Sequence, residues 1–389
     1  MTPVAERQAT RSPVPLTRGS QRIPIYIPIL LSLPALVPLL WDTISAWSAG
    51  RIPTGFVQYD MPVYVANARQ HLVHGFHLFY SNPYAAFGKP EIYFQPHILL
   101  LALLESIGLG PGTAFTLFGL GAMAFASTVA ARLYQRLIGW ETAAHKLGLL
   151  CFFWGGGLLS LAGVAFGIFT HVDPLRASLL LDPADGWWML NFGRNLVYPT
   201  EAYYHGLFLL TILLLVERRF GWAVGCSALL AASHPFTGIS LAAILVAYAM
   251  LELMLRSGAA SRGLLLGSGA VAVSVVGYYL VFLNRFADHR AMQEQWQLEW
   301  LYTPWTYVPA LYLVGVLAFT QLTRWKALKS ALADPQKRLF LVWFAVIFAL
   351  TQHNLVIKPV QPIHFAHGYD WIALFFLAAP SLLHILNKA

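Results

Sequence analysis

Long apolar runs recur from one end of this chain to the other, each broken by a short polar stretch. An α-helix needs roughly 20 apolar residues to cross a bilayer core of about 30 Å. The pattern predicts membrane-spanning helices at about 24–47, 113–134, 147–169, 199–216, 220–234, 237–255, 264–283, 304–322, 339–353 and 370–386. A further apolar stretch, Pro96 to Leu109, is too short to span and reads as re-entrant or lying on the membrane surface. Residues 60–75 follow a different pattern. Asp60, Tyr64, Asn67, His71 and His74 fall on one helical face, and Val65, Ala68, Leu72 and Phe76 on another. This predicts an amphipathic helix along the membrane surface, its polar face turned to a cavity. The expected fold class is an all-α polytopic membrane protein of about 10 transmembrane helices, one domain over residues 24–389, with 48–112 as its first outer loop.

Composition agrees with that pattern. Charged residues make up 11% of the chain, against about 25% in soluble domains. The net charge of +8 is therefore not a nucleic-acid signal, because most Lys and Arg sit in short clusters between apolar runs. Those clusters are Arg132/Arg136/Lys146, Arg218/Arg219, Arg256/Arg262 and Arg324/Lys326/Lys329/Lys337/Arg338. Alternating the spans from a cytoplasmic N-terminus puts all of them on the cytoplasmic side, as topology-setting charges require. A multi-pass protein of a bacterial inner membrane, both termini cytoplasmic, is the expectation. Residues 1–23, polar, Pro-rich and basic, read as a disordered cytoplasmic tail. The apolar run after Ile25 exceeds a signal-peptide core of roughly 7–15 residues, so an uncleaved first helix is expected. Cys151 and Cys226 both lie in apolar runs, which excludes a disulfide framework.

The polar chemistry gathers in the outer loops. The first offers Asp60, Arg69, His71, His74, His77, Lys89, Glu91, Gln95 and His97. Later ones add Arg194, with Glu201 and His205 at the next helix start, then Arg285, Lys358, His364 and His367. Asp60 precedes Pro62, so it suits a helix N-cap. A carboxylate fixed there also suits a general base, and the two readings are compatible. Lys358, Arg194 and Arg285 are the cations for an anionic group, with lipid-headgroup contact as their plain alternative. The three-residue spacing of His71, His74 and His77, and of His364 and His367, could serve a metal, but no zinc signature accompanies it. The outer tryptophans and tyrosines read mainly as an interfacial belt.

The first loop resembles that of the GT-C superfamily, integral-membrane glycosyltransferases that use polyprenyl-phosphate sugars. The resemblance rests on Asp60 after the first span, Tyr64 and Ala68-Arg69 in a surface helix, and Gly75. It continues through Tyr80-Ser81-Asn82-Pro83-Tyr84, Lys89-Pro90-Glu91-Ile92-Tyr93-Phe94-Gln95-Pro96-His97 and Ala131-Arg132-Leu133-Tyr134, covering about residues 24–140. The chain departs from that pattern at Met61, where relatives carry a second acid, and at Glu91, where they carry proline. The resemblance implies transfer of a sugar from a polyprenyl-phosphate donor to an acceptor hydroxyl on the outer face, with Asp60 as base. It implies a substrate site formed by Tyr64, Arg69, Lys89, Glu91, Tyr93, Gln95 and His97, with Arg194, Arg285, Lys358, His364 and His367 from later loops. A divalent cation, Mg or Mn, stays open as a cofactor, and no residues are assigned to hold a metal. The implied partners are the lipid-linked sugar and membrane lipids. Two other classes compete. A transporter or flippase would carry ionisable residues inside its spans, which here look nearly free of them apart from His234. A non-catalytic assembly subunit would need no site at all.

Overall fold

A computed structural model describes residues 22–55, 61–73, 75–84, 90–155, 165, 167–172, 192–295, 301, 304–320, 322, 325–359 and 361–388. Among them the chain is helical, and the only extended pairing is a pair of isolated bridges. The helices are α1 (Tyr26–Ser48), α2 (Met61–Gln70), α3 (Pro96–Ser106), α4 (Pro111–Leu137), α5 (Ala143–Trp154) and α6 (Phe192–Asn195). They continue as α7 (Pro199–Val216), α8 (Phe220–Ser233), α9 (Pro235–Met254), α10 (Arg262–Val276) and α11 (Ala287–Gln295). The last are α12 (Pro304–Thr320), α13 (Trp325–Ala333), α14 (Pro335–Thr351), α15 (Ile363–Ala366) and α16 (Tyr369–Leu386). A π-turn over Gly277–Phe282 and a 3-10 turn over Leu283–Arg285 extend α10 without a break.

Local sequence explains where these helices begin. Pro96, Pro111, Pro199, Pro235 and Pro335 each open a helix, where the missing N–H costs nothing. Thr142 closes a capping box with His145, Ser261 caps α10, and Asp334 caps α14.

Among the described residues, five helices are long and apolar enough to cross a membrane: α4, α7, α9, α10 through Arg285, and α16. Counting α1, which bends by 56° between Tyr26–Val37 and Leu39–Ser48, gives six. α3, α5 and α8 are apolar but shorter, at 11, 12 and 14 residues. The helix expected at 147–169 falls partly outside the described residues. The surface helix ends at Gln70 rather than near Gly75.

α4 and α7 pack along much of their length, and α8, α9 and α10 form a second group joined to α7 and α14. The α8–α9 crossing is close: a Cβ on Gly238 would sit 2.2 Å from Ala231 Cα, so only glycine fits. Between α5, α6, α14 and α16 lies an aromatic core of Phe152, Phe192, Phe340, Trp371, Phe375 and Phe376, with ring centroids 4.9–6.3 Å apart.

The helix ends segregate by chemistry. The segments carrying Arg136, Arg218, Ala259 and Asp334 meet around one cavity. Gln95, Pro235, Tyr278 and His289 meet around another. Basic loops thus share one end of the bundle, while the first loop lies against the start of α9 and the finish of the α10 extension.

Candidate functional site

A cavity of about 280 Å³ opens between α2, residues 80–84 and 93–95, and the end of the α10 extension. Tyr64 and Asn67 line it from α2, three residues apart and so on one face. Tyr80 and Tyr93 line it as an antiparallel pair: Tyr80 N–H donates to Tyr93 O at 2.9 Å, and Tyr93 N–H to Tyr80 O at 3.1 Å. Tyr80 OH donates to Gln95 Oε1 at 2.7 Å, and Gln95 Nε2 donates to Ser233 O at 3.4 Å. Tyr278 fastens this segment to the helix bundle. Its OH donates to Ile92 O at 2.7 Å and accepts from Phe94 N–H at 3.1 Å. Tyr93 OH lies 3.2 Å from His289 Nδ1.

The groups around this cavity are neutral hydrogen-bonders. Burial, then Tyr278 and Asp288, pushes the Tyr93 phenol up to about 12. Burial likewise raises Tyr80 well above its ordinary value and lowers His289. A cavity of uncharged hydroxyls, amides and ring faces suits a polyol such as a sugar.

A second, apolar groove of about 560 Å³ lies beside it, walled by small residues of α8 and α10 including Ala228, Ala231, Gly267 and Ala270. Phe94, Tyr278 and Tyr279 border both spaces. The polar cavity and the apolar groove therefore share one wall.

Behind the cavity lies a buried polar cluster. Tyr64 meets the His97 ring edge-on at 5.6 Å. His97 Nε2 lies 3.1 Å from Tyr204 OH, and Tyr204 stacks on His234 at 4.7 Å. His234 faces His364 and His367 at 5.9 and 6.3 Å between centroids. Glu201 Oε2 sits 3.0 Å from His367 Nδ1 and 3.8 Å from His205 Nδ1. His205 presents Nδ1 to Glu201 O and Nε2 to His367 O, both at 2.9 Å. Burial pushes His367 down to about 3 and lowers His364 well below its usual range. His367 holds φ at +34° and Gln361 at +42°. Left-handed backbone at such residues costs on the order of 1–3 kcal/mol and gathers at functional sites.

The residues expected at a site divide into five groups. Tyr64, Tyr93 and Gln95 line the cavity. His97, His364 and His367 belong to the cluster behind it. Arg69 instead pairs with Glu105 at 3.4 Å, and Glu91 with His77 at 2.7 Å near the surface. Arg194 on α6, Arg285 and Lys358 are not among the cavity-lining residues, and the last two are exposed. Asp60 and Lys89 lie outside the described residues, but Asp60 directly precedes Met61, one turn before Tyr64.

Two sequence readings need correction. His71 does not face a cavity: it is fully buried, its Nδ1 2.7 Å from His77 O and its ring 5.1 Å from Tyr80. The spans are not nearly free of ionisable groups, since Glu201, His205 and Glu252 are buried within α7 and α9. The i, i+4 spacing of Glu201 and His205 in an apolar run was their sequence signal. Tyr278 and His289 had none. Among the described residues, no three His, Cys, Asp or Glu side chains are placed to share a metal ion. The chain matches no family model, no curated protein and no solved structure.

Proposed function

We propose that this protein is a GT-C-like membrane glycosyltransferase, transferring a sugar from a polyprenyl-phosphate donor to an acceptor hydroxyl. The observation that carries this reading is the shared wall of Phe94, Tyr278 and Tyr279 between a neutral tyrosine-lined cavity and an apolar groove. A lipid-linked sugar has the same two halves. Its chain would follow the groove between α8 and α10, and its sugar would lie against Tyr64, Tyr93 and Gln95.

The acceptor oxygen attacks the anomeric carbon, the bond from that carbon to the phosphate oxygen breaks, and polyprenyl phosphate leaves. Asp60, joined to the start of α2, takes the hydroxyl proton. In this reading about ten helices span a bacterial inner membrane, the basic end is cytoplasmic, and the tyrosine cavity faces outward. The buried Glu201 and His205 inside α7 favour a second reading, a transporter or flippase for the lipid-linked substrate.

Purified protein assayed with a panel of polyprenyl-phosphate sugars, alongside Asp60→Asn, separates the two. Transfer by wild type that the variant loses, with donor binding kept, supports the enzyme and its base. Equal transfer by both removes Asp60 from the chemistry. Donor movement across liposomes without any transfer sinks the enzyme reading in favour of transport, and neither transfer nor donor binding leaves an assembly subunit.

A further inference from the structure

At the opposite end of the bundle, a cavity of about 400 Å³ is lined by Arg136 from α4, Leu215 and Val216 from α7, Arg218, Tyr248 from α9, and Leu339 from α14. Its size falls in the ~300–1,000 Å³ range of small-ligand sites. A neighbouring cavity of about 280 Å³ shares Asp334 and Gln336 with it and continues past Lys337 to Phe340, Phe376 and Pro380. The two together form a cleft with a basic mouth and apolar flanks.

The charges of this cleft are unbalanced. The neighbouring Arg338 is paired with Glu252 and lines neither cavity, leaving Arg136, Arg218 and Lys337 against the single carboxylate of Asp334 on the cleft walls. Arg136 is half-buried and makes no ion pair among the described residues. Arg218 is held at φ +61°, with Nη2 donating to Gly258 O, so its guanidinium is tied beside the cavity. A half-buried guanidinium without a carboxylate partner calls for an external anion. Apolar walls at Leu215, Val216, Phe340 and Phe376 call for hydrocarbon next to that anion.

We infer that this cleft binds an anionic diacyl phospholipid, its phosphodiester between Arg136 and Arg218 and its acyl chains along α7, α14 and α16. The site is separate from the tyrosine cavity, and its occupant needs no sugar. A basic pocket between spanning helices is suited to anionic headgroups.

Native mass spectrometry of the full chain in detergent tests the assignment. The probes are phosphatidylglycerol and phosphatidylcholine with identical chains. Wild type should retain phosphatidylglycerol on the order of 10-fold better. Arg136→Gln with Arg218→Gln should abolish that preference, as should Gln336→Glu, which adds a negative charge at an exposed position without removing a wall. Arg132→Gln, exposed and one turn earlier on α4, should keep it. Equal retention of both lipids by wild type overturns the site. So does loss of the preference in Arg132→Gln, which would mean a diffuse surface charge. Full competition by millimolar inorganic phosphate also overturns it, because a bare anion would then suffice.

Discussion

Glu252 on α9 and Arg338 on α14 offer the sharpest energetic test of how the bundle is held together. Arg338 Nε and Nη2 donate to the two Glu252 carboxylate oxygens, each at 2.5 Å. The side chains are 5% and 0% exposed. Ser257 OH also donates to Glu252, and Arg338 Nη1 donates to Leu332 O at 2.6 Å. Glu252→Gln keeps the shape but turns one acceptor into a donor facing a guanidinium. Two charge-assisted hydrogen bonds are worth about 1.5–3 kcal/mol each. Stranding one buried charge costs about 3–5 kcal/mol, so the two routes agree on a loss near 4 kcal/mol. Glu252→Leu combined with Arg338→Met removes both charges and should cost far less than the two single changes summed. The coupling energy should be about 3 kcal/mol. The assay is a double-mutant cycle on unfolding in mixed micelles of mild and denaturing detergent. Single losses below about 1 kcal/mol, or additivity within about 0.5 kcal/mol, would refute the reasoning.

Three further outcomes follow from the geometry. The His367 imidazole, buried and pushed down to about 3, stays neutral in the fold while the unfolded chain takes a proton below about 6.5. Its contribution is therefore complete above about pH 6.5 and lost as pH falls from there toward 3, at about 1.4 kcal/mol per unit. Unfolding midpoints that are flat or rising between pH 6.5 and 5 would contradict this. Tyr278→Phe removes the bonds to Ile92 O and Phe94 N–H, so stability should fall by about 1–2 kcal/mol and the Phe94 amide should exchange faster. Unchanged exchange at Phe94 would mean the 90–95 segment is held by other contacts. Gly238→Ala should cost about 1–3 kcal/mol or more because the methyl meets the α8 backbone, whereas Gly225→Ala, with open space around it, should be neutral or stabilising. Equal melting temperatures for the two variants would argue against the close α8–α9 crossing.

Local signals settled a large part of this protein. Apolar runs forecast helices because a backbone in hydrocarbon must satisfy its own hydrogen bonds. Prolines at positions 111, 235 and 335 open helices two to four residues before the apolar runs alone placed them, because a first helical turn needs no N–H there. Periodicity and run length predicted helices over 60–75 and Pro96–Leu109, and the structure has shorter ones there, Met61–Gln70 and Pro96–Ser106. Periodicity also placed Tyr64 and Asn67 on one face, and both line the cavity.

The sites themselves were decided by packing. Tyr93 meets His289 across 196 residues, and Phe94 meets Tyr278 across 184, contacts no local pattern encodes. Arg69 and Glu91 looked like ligand-binding charges, yet each found a partner in Glu105 or His77 once the chain folded. Among the described residues Arg136 did not, and that difference came from which helix ends meet rather than from its own neighbours in sequence. Hydrophobic run length fixes what is helix and what is apolar enough for a membrane, since both depend on the composition of one segment. Which polar groups are buried together depends on the crossing of several segments, and only the tertiary structure sets that.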